Sequence, residues 1–227
     1  MSTESTGFLY PFIDADERDV GSLLSDLAAS ARLKARESAV LQVATLGTCA
    51  DQIAACAAAM AGRFAAGGRM YAFGNGGSST DCATFAALFA RPPDGRPRGC
   101  RPLPAMNLAA DQAVVTALGN DVGFDLIFSR QIIAHSSPRD IAVAFSTSGS
   151  SRDLMSALRE ASGRGLLTVG FAGYDGGEMA RSDAVGYCFV VRSQSIHRIQ
   201  ESQALLGYQL WASTHQALIA LREEGTS

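Results

Sequence analysis

No two cysteines in this chain stand at the C-x-x-C spacing of a zinc or dithiol site; Cys49, Cys56, Cys82, Cys100 and Cys188 are odd in number, far apart and set among small or apolar neighbours. They read as reduced, mostly buried thiols. Positive charge is not in excess either. Nineteen Lys and Arg against 22 Asp and Glu give a formal net charge of −3, which supplies no field for a nucleic-acid backbone, and no basic helix-turn-helix segment is left over. Neither G-x-G-x-x-G nor a Gly-Lys-Ser/Thr ending occurs, so the dinucleotide fingerprint and the P-loop are excluded. No apolar run approaches the roughly 20 residues of a membrane helix, and no signal-peptide pattern precedes the acidic, Ser/Thr-bearing start. The expectation is a cytoplasmic protein without membrane contact.

What the chain does have is apolar material for one sizeable core: 47% of its 227 residues are hydrophobic and 18% charged. Apolar runs of strand length are expected as strands at 69–73, 103–108, 140–145, 166–171 and 185–191. Helical periods fall between and after them, at 81–90, 124–134, 152–164 and 196–222, and two more helices, 16–36 and 41–64, precede the first strand. Asp111 can cap the helix after the second strand, and Gly119-Asn120-Asp121 reads as a turn. Alternation of this kind means α/β, with a parallel sheet covered on both faces and ligands at the carboxyl ends of its strands. Three parts are expected: an arm and helix over 1–38, the main domain over 39–222 and a tail over 223–227. Phe8, Leu9, Tyr10 and Phe12 make the arm a candidate for docking another protein, beside the plainer reading of a partly ordered tail.

Two strand-to-helix turns carry the functional signal. Phe73-Gly74-Asn75-Gly76-Gly77-Ser78-Ser79-Thr80-Asp81 combines glycines that tolerate positive φ with hydroxyls beside the free N–H groups of a helix start, and suits a phosphate. Ser146-Thr147-Ser148-Gly149-Ser150-Ser151 repeats the arrangement after the most apolar strand. Either turn alone is matched by ordinary tight packing or capping; both together favour one shared anion site.

These turns, with the Gly-Asn-Asp ending at 119–121, Asp175-Gly176-Gly177-Glu178-Met179-Ala180 and Arg198-Ile199-Gln200-Glu201, occur in the order seen in phosphoheptose isomerases, and the chain resembles that family and its SIS (sugar isomerase) fold. The likeness runs over about 41–221. It implies a three-layer αβα sandwich around about five parallel strands, a homotetramer and a phosphorylated sugar as ligand, sedoheptulose 7-phosphate in the family. Its sugar-phosphate contacts carry over to Asn75, Gly76, Ser78, Ser146, Thr147, Ser148 and Ser151, and its sugar or metal contacts to Asp111 and Gln200.

The family's chemical groups do not carry over. Aldose–ketose isomerisation moves a proton between neighbouring carbons and needs a base, helped by a metal or a second acid. Where the family has His, Glu and His for this work, the chain has Thr84, Leu88 and Tyr208. Leucine takes no proton and binds no zinc, so no metal or other cofactor is expected. His197 and Glu201, four apart on the last helix, are the possible substitute acid and base; a solvated polar face is the plainer account of them, and Glu178 is a further carboxylate after the Asp175 turn. His135 and His215 read as surface or cap residues. Three functions follow from the resemblance: a phosphosugar-binding protein with isomerase activity weak or lost, an isomerase with a rewired site, or a non-catalytic interaction protein like the family's replication-initiator-associating members.

Overall fold

The computed structural model describes residues 20–94 and 99–224. The aromatic arm with Phe8, Leu9, Tyr10 and Phe12, and residues 225–227, lie outside them. Five strands, β1 (Met70–Gly74), β2 (Ala105–Asn107), β3 (Ile141–Phe145), β4 (Leu167–Gly173) and β5 (Tyr187–Val191), form one sheet in the order β2-β1-β3-β4-β5. Every pairing is parallel. The helices are α1 (Val20–Ala65), α2 (Gly77–Ala90), α3 (Gln112–Asp121), α4 (Ile127–His135), α5 (Arg152–Gly163) and α6 (Ile196–Glu224).

Strand side chains alternate between two cores. Met70, Ala72, Ile141, Val143, Phe145, Val169 and Phe171 point to the side packed by Met60 of α1, Phe85 and Phe89 of α2 and Leu206 and Trp211 of α6. Tyr71, Phe73, Ala142, Ala144 and Ala172 point to the opposite side, against Phe128 and Ile132 of α4 and Leu154 and Leu158 of α5. This is the expected three-layer sandwich, and it explains why β3 is apolar at every position: both of its faces are covered. Phe145, the last residue of β3, stacks on Phe171 with centroids 4.2 Å apart. Such a pair adds about 0.5–1.5 kcal/mol beyond the area it buries, and it anchors the backbone just before Ser146.

Several expectations are corrected. The two N-terminal helices are one helix, α1, because the lapse in apolar period at 37–40 (Glu37, Ser38, Ala39, Val40) contains neither Gly nor Pro. By contact, the segment before Leu41 and the remainder of the chain are separate compact units. Over Gly21–Ala65 this helix is long and apolar enough, by length and composition, to cross a membrane, contrary to the expectation that no apolar run approaches that length; alanine carries much of the hydropathy. Cys49, Ile53, Cys56, Met60 and Phe64 nevertheless lie in the core, as in a core helix of a globular domain. Gly119-Asn120-Asp121 is the last turn of α3 rather than a turn between helices, and α2 starts at Gly77, inside the glycine-rich stretch. His215 is a core residue. Its ring lies 5.9 Å from Phe89 and 5.4 Å from Trp211, and burial, with Arg222 nearby, pushes its pKa below the ordinary value. All five cysteines are free and four are buried.

Candidate functional site

β1 and β3 are neighbours, with Gly74 opposite Phe145, yet the chain leaves β1 towards β2 on one side and β3 towards β4 on the other. The crevice outside a strand-order reversal of this kind is where open α/β sheets hold ligands. Both hydroxyl-rich turns open into it.

The first turn bends at Gly76, which precedes α2 with φ +53 and leaves the helix start without a side-chain cap. The second ends at Ser151, which precedes α5 and also makes no side-chain cap. By contrast, α3 is capped in full: Asp111 Oδ1 accepts from Ala113 N–H at 3.0 Å and Val114 N–H at 3.1 Å. The starts of α2 and α5 beside the crevice have no such cap, and uncapped first-turn amides attract an anion.

Between them is a cavity of about 70 Å³ lined by Asn75, Ser78, Ser146, Thr147, Ser148 and Ser151, over Phe145 and Leu154. The space suits a small oxyanion and opens to solvent on one side. Ser146 Oγ accepts from Gly149 N–H at 3.0 Å and lies 3.3 Å from Ser148 Oγ, while Ser148 Oγ accepts from Ser150 N–H at 3.3 Å. The structure thus gathers the hydroxyl and amide residues singled out in sequence. Gly76 does not line the cavity and makes the bend before α2. Asp111 is exposed, with its carboxylate occupied at the α3 cap, and Gln200 lies beside the first turn without lining the cavity.

Three supporting residues escaped the sequence reading. Asp153, buried in the first turn of α5, accepts from Asn75 Nδ2 at 2.8 Å and ties the two turns together. Gln203, fully buried on α6, donates from Nε2 to the Ser146 carbonyl at 2.9 Å. Asp81 accepts from Gln200 Nε2 at 3.1 Å; burial raises its carboxyl above the usual range and this hydrogen bond opposes the rise. A polar residue among the apolar positions of a long helix was the available signal for Gln203. The motif at 175–180 is also a support, because Gly173 N–H donates to Thr147 O at 3.0 Å, Glu178 N–H to Ser150 Oγ at 3.0 Å and Met179 N–H to Gly149 O at 2.8 Å.

The three positions where the family has His, Glu and His hold side chains with other partners. Thr84 is exposed and donates to Thr80 O at 3.1 Å, Leu88 packs against the core, and half-exposed Tyr208 leans on Trp211 with ring centroids 5.2 Å apart. His197 and Glu201 are exposed on α6, and neither lines the cavity. Glu178 pairs with Arg159. Among the described residues no three His, Cys, Asp or Glu side chains gather as a metal shell.

Comparison with known proteins shows the family and the fold. The model of the SIS domain matches residues 35–173. The phosphoheptose isomerase of Aquifex aeolicus is 40% identical over 176 residues, covering 77% of this chain and 89% of that protein. That of Rhodospirillum rubrum is 39% identical over 174 residues, covering 76% and 89%. Among solved structures, the phosphoheptose isomerase from Neisseria gonorrhoeae superposes with a TM-score of 0.74 at 29% identity over 82% of this chain and 96% of the other. The enzyme from Francisella tularensis gives 0.75 at 29% identity over 83% and 98%.

Proposed function

Because the chain belongs to the SIS domain family of the phosphoheptose isomerases, we propose that it binds a phosphorylated sugar through the phosphomonoester, with isomerase chemistry weak or lost. One observation carries the binding: two uncapped helix starts and four serine hydroxyls meet at one small cavity, which suits a dianion. The loss of chemistry rests on Thr84, Leu88 and Tyr208, none of them a general base, at the family's base and metal positions. Zinc does not fit the residues that replace the family's ligands, since Leu88 offers no donor atom and Thr84 and Tyr208 are poor ones. His197 and Glu201 are exposed on α6 outside the cavity, and an isomerase that used them would carry deuterium from solvent into the sugar. Five cysteines outside any disulfide suit a reducing, cytoplasmic setting.

Calorimetry with sedoheptulose 7-phosphate, run alongside incubation in deuterated water, tests the proposal. The expected result is saturable binding with no deuterium entering the sugar. Deuterium uptake overturns the loss of catalysis, and absence of binding overturns the ligand class.

A homotetramer is part of the same proposal. Leu24, Leu27, Val40 and Val43 of α1 are exposed, and large apolar side chains in such number on one helix ask for a covering surface. Light scattering is expected to give four times the chain mass; a monomer is the contrary outcome.

A further inference from the structure

The hydroxyl-lined cavity at the β1/β3 crevice suits the phosphoryl group, so the carbons of a sugar held there extend towards its open side. Next to the cavity, on the first turn of α2, lies the carboxamide of Gln200. Two separate features hold it. Gly77 has no side chain, and a Cβ there would stand 2.5 Å from Gln200 Nε2, so the amide occupies the space a larger residue would fill. One turn further along α2, Asp81 Oδ2 accepts from the same Nε2 at 3.1 Å.

We infer that Asp81 is the positioning residue that makes Gln200 a reader of sugar hydroxyls, so that the site separates a phosphorylated polyhydroxy chain from bare phosphate. A free carboxamide has two nearly equivalent orientations, one presenting oxygen and the other NH₂. An ionised carboxylate only accepts, so it takes the NH₂ end and turns Oε1 the other way. The held amide then offers one oxygen acceptor and one remaining N–H donor, the pair that adjacent hydroxyls on a carbon chain satisfy. Inorganic phosphate fills the serine-lined cavity and gains nothing from this amide. The inference rests on the phosphosugar-binding reading above.

The test compares sedoheptulose 7-phosphate with inorganic phosphate as calorimetric ligands for the full chain and for Asp81→Ala and Asp81→Asn. In Asp81→Ala the affinity for the sugar phosphate is expected to fall about tenfold, the worth of one well-placed hydrogen bond, while inorganic phosphate binds as before or more tightly because a nearby negative charge has gone. In Asp81→Asn, whose side-chain oxygen still accepts, part of the lost discrimination returns. Melting temperatures of the variants show whether the fold is kept. An equal fall for both ligands, or an unchanged preference in Asp81→Ala, overturns the positioning role. If the unaltered protein binds neither ligand, the phosphosugar reading fails and takes this inference with it; if it binds phosphate but shows no preference for the sugar phosphate, the inference alone fails.

Discussion

Ser148→Glu is expected to abolish measurable sugar-phosphate binding while leaving the fold intact. Ser148 lines the anion cavity, its side chain reaches solvent, and its Oγ lies 3.3 Å from that of buried Ser146. Glutamate there sets a carboxylate beside the ligand's negative charge. At about 4 Å and an effective dielectric near 20, each pair of unit charges repels by about 4 kcal/mol, and about 1.4 kcal/mol is a tenfold loss. The expected fall is therefore roughly a thousandfold or more. Stability should change little, because the replaced side chain is exposed. Calorimetry with the sugar phosphate and a thermal melt read the two effects; unchanged affinity would remove the second turn from the site.

Gly149→Ala should damage both fold and site. Gly149 has φ +66, and a Cβ there would stand 2.2 Å from the Gly176 carbonyl oxygen. Opposite it, Gly177 has φ +56 with the Ser148 carbonyl 2.3 Å from its own hypothetical Cβ. The left-handed conformation alone costs an L-residue about 1–2 kcal/mol, and the contact is with backbone, so the two turns must separate. A total of about 3 kcal/mol would lower Tm by about 6–12 °C in a chain of this size, with loss of phosphate binding because Ser148 and Ser150 flank the displaced residue. Gly62→Ala is the control: this exposed helical glycine has nothing within 4 Å of an added Cβ, and alanine there should be neutral or slightly stabilising. A Gly149→Ala protein that melts and binds like the parent would show that the turns do not need their close approach.

The parts of this molecule legible in sequence are those fixed by local pattern. The apolar run ending at Phe145 and the serine turn after it announce a buried parallel strand and a hydroxyl-lined turn at its carboxyl end. Where sequence reading failed, the cause was pairing between distant residues or a balance of weak local effects. Asp81 and Gln200 are 119 positions apart, and nothing near Asp81 reveals that its carboxyl meets an amide. Asp153 looks like any acidic residue in a first helical turn until Asn75 is found against it. His215 has the same neighbours in sequence whether its face of α6 is solvated or packed between Phe89 and Trp211. At 37–40, alanine-rich propensity outweighed a lapse in periodicity, and only a Gly or Pro would have decided for a break.

The turn bearing Ser146 to Ser151 is hydrogen-bonded from behind by the segment after β4 and by Gln203 beneath it. Its conformational entropy is therefore surrendered when the chain folds and not when a ligand arrives. Such a preorganised receptor should capture its anion in a single kinetic step, with an association rate that rises in proportion to ligand concentration and shows no plateau from a slow rearrangement.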